Sequence, residues 1–335
     1  MLHIHNGDST AGTAKKSEIP GEHLAWREAM VCGPTPTGLS AEGFLQVRAK
    51  HLSEAYSVSL EQCERDLRAQ AEGLTRSLDH EEVVLWFEHD LICQVHLIYL
   101  LNWFAQRELR STKLSLICIG EFPGIGRFRG LGQLSAEQLA ALFPQREEAS
   151  PAQLQLGAKA WRVYSSPDAA DLIPLMNSDL SAMPFLKRAL AKHIQRFPST
   201  SNGLGRIENV ALELIANGYP SFKSLFPAFV RREPEYGLGD AQLYLEMKRL
   251  VDASTPLLKL SNAVKEVVTR GATMDPAHML LSSFEITRHG RAVLSGAEDF
   301  VRTNGIDQWL GGVHLEGYEP GWRWDEDAKE LLVRL

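Results

Sequence analysis

Apolar residues in the first third of the chain gather into short runs separated by small and polar residues. Residues 2–6 (LHIHN), 83–87 (VVLWF) and 114–119 (LSLICI) have the length of strands. Largely unbroken apolar runs of this kind suit strands that are covered on both faces. Residues 19–26, with Pro20-Gly21 near the start and Gly33-Pro34 beyond the end, read as a further strand. Between them, Leu45, Leu52, Leu60, Leu67 and Leu74 recur at seven- or eight-residue spacing, which predicts a helix over 40–78 with one apolar stripe. Residues 91–105 are the most apolar stretch. They include Gln94, His96 and Asn102, and the stretch is too short and too polar to span a bilayer. It reads as a buried helix with Asp90 as its N-cap. Alternating strands and helices predict an α/β fold with a Rossmann-like parallel sheet.

The rest of the chain follows a different pattern. Residues 135–197 read as helices interrupted by prolines, and Pro198-Ser199-Thr200-Ser201-Asn202-Gly203 reads as a linker. Helices are expected at 206–217, 222–229 and 240–251, followed by strands at 257–260 and 284–287 that would pair as a wing. The expected organisation is therefore an α/β domain over 1–134, a helical connector over 135–200 and a winged-helix-like domain over 201–335.

Charge and cysteine usage narrow the choice of partners. The chain has 35 Lys+Arg against 42 Asp+Glu, a formal charge of −7. That mild acidity argues against broad binding to nucleic acid or to an anionic membrane. Basic groups on the presumed wing (Arg288, His289, Arg291) and on the third helix (Lys248, Arg249) are interleaved with Asp240, Glu246 and Asp252. Cys32, Cys63, Cys93 and Cys118 contain no CxxC pair and are too few for a secreted disulfide framework. The start, MLHIHNGDST, lacks the basic-then-apolar order of a leader, so a cytoplasmic location is expected. The expected partners are an anionic small molecule and, through the C-terminal part, another protein or a second copy.

In open parallel sheets, ligands sit outside the carboxyl ends of the strands. That rule selects Asn6, Asp8 and Ser9; Arg27 and Glu28; Glu88, His89 and Asp90; and Glu121. Gly7, Ser9 and Thr10 have the character of an anion-binding turn that offers N–H and hydroxyl donors. Ser9 is alternatively a helix cap, or a nucleophile if a histidine lies within reach. The string GDSTAG is similar to the first block of the GDSL hydrolases, and Asp275-Pro276-Ala277-His278 has the spacing of their last block, but the middle blocks are absent. Arg27 suits bidentate binding of phosphate or carboxylate, or an ion pair with Glu28 or Glu88. Glu88, His89 and Asp90 form the densest titratable cluster, suited to acid–base work or to a divalent metal. Alternation along a strand sends Glu88 and Asp90 to one side and His89 to the other. Gly124, Gly126, Gly130 and Gly132, with Arg127 and Arg129 among them, read as a loop over this edge.

The segments IHNGDSTAG, AWREAMVCGP, LWFEHDLICQVHLIYLL and LSLICI resemble the bacterial family known as domain of unknown function 1835. GLGDAQLYLEMKRLV and EITRHGRAVLSG resemble its companion, domain of unknown function 3658. The resemblance implies a bacterial cytoplasmic protein with an α/β N-terminal domain, and polar positions at Gly7, Asp8, Ser9, Glu88 and Gln94. It supplies no activity that can be carried over, and leaves the cofactor open. Two functions are expected from these observations. The first is binding of a nucleotide or other anionic metabolite at the strand ends through Asn6, Gly7, Ser9, Thr10, Arg27, Glu28 and Gln94. The second is a metal-dependent hydrolase or phosphotransferase using Asp8, Glu88 and Asp90, with Ser9 and His89 as further catalytic candidates.

Overall fold

The computed structural model describes residues 1–261 and 276–333. Its first part runs β1 (Leu2–Asn6), α1 (Asp8–Ala14), β2 (Glu22–Trp26), β3 (Gly33–Pro34), α2 (Ala41–Tyr56), α3 (Leu60–Arg76), β4 (Glu82–Glu88), α4 (Leu91–Ala105), β5 (Lys113–Ile119), α5 (Ala136–Leu142), β6 (Glu147–Glu148) and α6 (Pro151–Tyr164). Five strands form one sheet in the order β2-β1-β4-β5-β6. The pairs β1/β2, β1/β4 and β4/β5 are parallel, and the two-residue β6 closes the edge antiparallel. The α/β fold with a mostly parallel sheet is therefore as expected. β6 has no apolar signal in the sequence.

Each residue of β4 is buried, as its unbroken apolar run requires. One face of the sheet packs Ile4, Leu85 and Phe87 against α4, which is buried nearly all round because α6 covers its outer side. The other face packs Val84, Trp86 and Ile117 against Leu131 and Leu139. The helix expected over 40–78 is broken. Ser57 takes a left-handed conformation at φ 55°, and Ser59 then caps a second helix by accepting from the Gln62 N–H. The apolar spacing carries across the turn because α2 and α3 pack as a hairpin. Periodicity alone therefore missed the break.

The second part also keeps its expected order. It contains α7 (Leu172–Met176), α8 (Leu186–Ile194), α9 (Arg206–Ala216), α10 (Phe222–Arg232) and α11 (Asp240–Asp252), then β7 (Leu258–Leu260) paired antiparallel with β8 (Phe284–Ile286). Arg288, His289 and Arg291 do not sit on a wing; they lie on the helix Arg288–Leu294. Lys248 pairs with Asp252, Arg249 with Glu208 and His289 with Glu298, so three of the basic groups are already matched. The expected linker is built into the structure: Ser199 and Asn202 are buried and hydrogen-bonded to each other, and the Arg323 guanidinium donates to the Ser199 carbonyl. One apolar core runs from Leu2 to Trp324, and β3 joins the strands Ile306–Gly311 and Val313–Gly317 in one sheet. No helix among the described residues is long and apolar enough to cross a membrane.

His3 and His5 point to the Trp86 face and are fully buried. Trp86 Nε1–H donates to His3 Nδ1 at 3.1 Å, so His3 carries its proton on Nε2 and donates to the Pro20 carbonyl at 2.9 Å. Burial lowers His3 to about 4 and lowers His5 further. Their contribution to stability is thus intact above the ordinary histidine value and is lost as pH falls through the lowered ones. The imidazole Cε1–H shifts of His3 and His5 should stay flat by NMR between pH 7.5 and 5.5, with urea stability falling at lower pH. Ordinary titration of either ring near 6.5 would contradict this placement.

Candidate functional site

The strand ends place the expected residues on one edge and divide them between surface and interior. After β1, Gly7 takes φ 85° and its N–H donates to the Trp26 carbonyl at the end of β2. That positive φ favours glycine and turns the chain directly into α1. Asp8 and Ser9 emerge exposed, and Thr10 is buried beneath them. Arg27, the first residue past β2, meets Asp8 in a bidentate pair: Nε lies 2.8 Å from Oδ2 and Nη2 lies 2.7 Å from Oδ1. Both side chains are about two-thirds exposed (68% and 65%). Its partner is thus Asp8, in place of the expected Glu28 or Glu88. Hydrogen bonding to Arg27 holds the Asp8 carboxyl below its usual range.

Glu28, expected as a ligand contact, turns inward. It accepts from Arg48 Nη2 at 2.6 Å and from Arg48 Nε at 3.1 Å. Arg48 further donates to the carbonyls of Ala29, Cys32 and Pro34. The pair is almost wholly buried, and these contacts replace the water that a buried guanidinium loses. Arg48 went unnoticed in the sequence because it sits inside an amphipathic helix. Its lone charge at a stripe position was the available signal.

Glu88, at the tip of β4, is buried between α4 and the glycine-rich loop. Its Oε1 accepts from the Leu131 N–H at 2.7 Å and its Oε2 from the Cys93 thiol at 2.5 Å. Asn6 at the end of β1 donates to Cys93 Sγ and receives His96 Nδ1 on its own carbonyl oxygen. Gln94 Nε2 donates to the Glu88 carbonyl. Asp90 caps α4 as expected, accepting from the Cys93 N–H at 2.9 Å. Gly237 approaches Asp90 so closely that a Cβ there would lie 2.2 Å from Oδ1. Burial, reinforced by the neighbouring Asp90 charge, raises Glu88 to about 8. Burial also raises Asp90 and lowers His96 to about 3. At pH 7 the balance of these effects favours the neutral form of Glu88.

His89 leaves on the other side, between the rings of Phe128 and Phe185, as strand alternation requires. Glu88, Asp90 and Cys93 form a group with metal-ligand spacing, their donor atoms all within 4.8 Å of one another; Asp8 is outside it. The glycine-rich loop does lie over this edge. Gly130 faces Glu88 and Gly132 faces Ser9, so one short segment touches the ends of both central strands. Ser9 makes no hydrogen bond to a histidine among the described residues. The Asp275 and His278 side chains lie outside the described residues.

Open space flanks this packed centre. At the end of β2, a cavity of about 420 Å³ is lined by Arg27, Glu28, Leu52, Cys63, Asp66, Gln70 and, from α11, Gln242, so the expected Arg27 and Glu28 both reach it. At the edge of β5, a cavity of about 300 Å³ includes Gln94, Cys118, Met183 and Phe185. Glu121, just past β5, lines a third cavity with Arg127. Asn6, Thr10, Glu88 and Asp90 line none of these three. No family model matches the chain, and no curated protein matches it.

Replacing Arg48 with alanine should lower urea stability by about 3–5 kcal/mol, because Glu28 is left charged and unpaired in the interior. A loss below 1 kcal/mol would show that the pair is not buried as described.

Proposed function

We propose that the protein binds a small molecule with an apolar body and an anionic group, seated in the cavity at the carboxyl end of β2. The observation that carries this reading is Arg27 at the cavity, largely exposed and held in position by Asp8. Leu24, Leu52, Val58 and Leu67 supply apolar wall, and Gln70 accepts from the Arg27 N–H at 2.7 Å. A few polar groups converging on a mostly apolar wall are the usual composition of a small-molecule site. An incoming carboxylate or phosphate would take the place of Asp8 on the guanidinium fork, or share the fork through Nη1. Gln242 of α11 brings the C-terminal part into the same wall, which suits an interaction module that senses occupancy. A nucleotide or another anionic metabolite fits this chemistry.

The hydrolase or phosphotransferase reading has less support. Glu88 is neutral and packed, Asp90 is engaged as a cap, and Asp8 stands apart from both.

A thermal-shift screen over nucleoside monophosphates, sugar phosphates and aromatic carboxylates tests the proposal. A ligand at 100 times its Kd adds roughly 2.7 kcal/mol. The unliganded Arg27→Ala protein should melt within a few degrees of wild type, because an exposed pair contributes roughly 0–1 kcal/mol. Its affinity for the anionic ligand should fall tenfold or more. Equal shifts in both proteins, or no shift from any anion, would overturn the reading.

A further inference from the structure

The edge of the sheet at β5 is left unfinished. Lys113 N–H donates to the Glu81 carbonyl on the β4 side, so alternation directs the main-chain groups of 113, 115, 117 and 119 toward β4. Those of 114, 116 and 118 face the opposite edge. Leu114 accepts from the Ala149 N–H, and Leu116 pairs with Glu147 of β6. β6 then ends. The Cys118 N–H and C=O, side by side on this edge, lie beyond the reach of β6.

The cavity of about 300 Å³ lies at this place, and Leu116, Ile117, Cys118 and Ile119 all line it. Leu97, Leu142, Met183 and Phe185 make its apolar walls. Three glutamine amides reach it with one end already engaged. Gln94 Nε2 is on the Glu88 carbonyl, Gln145 Nε2 on the Ala141 carbonyl, and Gln153 Oε1 accepts from the Ser150 N–H. Glu147 is the one charged residue on the lining, and it is exposed. A sheet edge whose neighbour ends early offers a main-chain donor and acceptor to whatever occupies the space beside it.

We propose that this cavity is a second binding site, for a neutral planar heterocycle that carries a hydrogen-bond donor and acceptor on adjacent atoms, as in a lactam. The heterocycle completes the sheet edge. Its N–H donates to the Cys118 carbonyl and its C=O accepts from the Cys118 N–H, as the next residue of an antiparallel strand would. Its ring lies between Met183, Leu142 and Phe185. The Cys118 thiol is engaged by Gln94 Nε2, and the proposed contacts use only the Cys118 main chain. The site is independent of Arg27, since the two cavities share no residue.

2-Quinolone and N-methyl-2-quinolone are suitable probes, because methylation removes the donor and leaves the ring and carbonyl in place. In ¹H–¹⁵N spectra of the full chain, 2-quinolone should shift the Cys118 amide, and the methylated analogue should bind at least tenfold more weakly. Ala182→Phe, which fills the cavity from its rim, should remove binding, whereas Arg27→Ala should leave it unchanged. Equal affinity for the two probes, a Cys118 amide that does not move, or no binding of 2-quinolone at millimolar concentration would each overturn the proposal. Loss of binding in Arg27→Ala would overturn the independence of the two sites.

Discussion

Glu88 ends the central strand with a carboxyl buried from solvent, and the carboxyl edge of the sheet is organised around that fact. One oxygen accepts from Leu131 and pins the glycine-rich loop; the other accepts from Cys93 and ties the tip of β4 to the start of α4. Through Cys93 the chain of contacts continues to Asn6 at the end of β1 and on to His96. The strand order reverses between β1 and β4, where an open parallel sheet ordinarily has its ligand crevice. Here that crevice is filled by a buried polar network of Asn6, Glu88, Cys93 and His96. Desolvation keeps Glu88 protonated, and a neutral carboxyl can be buried there without a counterion.

Closing the centre moves the open space to the flanks. On the β2 side the cavity borrows its cation from the surface, where Arg27 is held by Asp8. On the β5 side the cavity exists because β6 is too short to cover the last residues of its neighbour. The two have opposite character. One has Arg27 with Glu28 and Asp66 at an apolar wall, and the other has main-chain polarity between apolar walls and amides. The residues of the two proposed sites therefore fall into different chemical classes.

Much of the fold was legible because it rests on local signals. The runs VVLWF and LSLICI were strands, Asp90 was a cap, and the candidate residues did lie at strand ends. What was hidden depends on packing. The break at Ser57 leaves the apolar spacing of α2 and α3 undisturbed. Glu28 and Arg27 are sequence neighbours of similar polarity, yet one faces the core because Arg48 waits there and the other faces solvent. Asn6, Cys93 and His96 are far apart in the chain, so their contact could not be read from spacing. The open edge at Cys118 is a matter of where a two-residue strand ends, which no pattern of side chains announces.

The central claim is that Glu88 closes the strand ends as a neutral carboxyl. In the folded protein its pKa is raised from 4.5 to about 8, so the stability it contributes is fully present below the unfolded value and is lost as pH rises through the folded one. Glu88→Gln keeps an oxygen for the Leu131 N–H and cannot ionise. The decisive measurement is the difference in melting temperature between wild type and Glu88→Gln across pH 5 to 9. The account predicts a small difference at pH 5 that grows in favour of the glutamine variant toward pH 9. A difference that is constant with pH, or that grows in favour of wild type, would show that Glu88 is ionised in the folded protein and that the strand ends are held closed by something else.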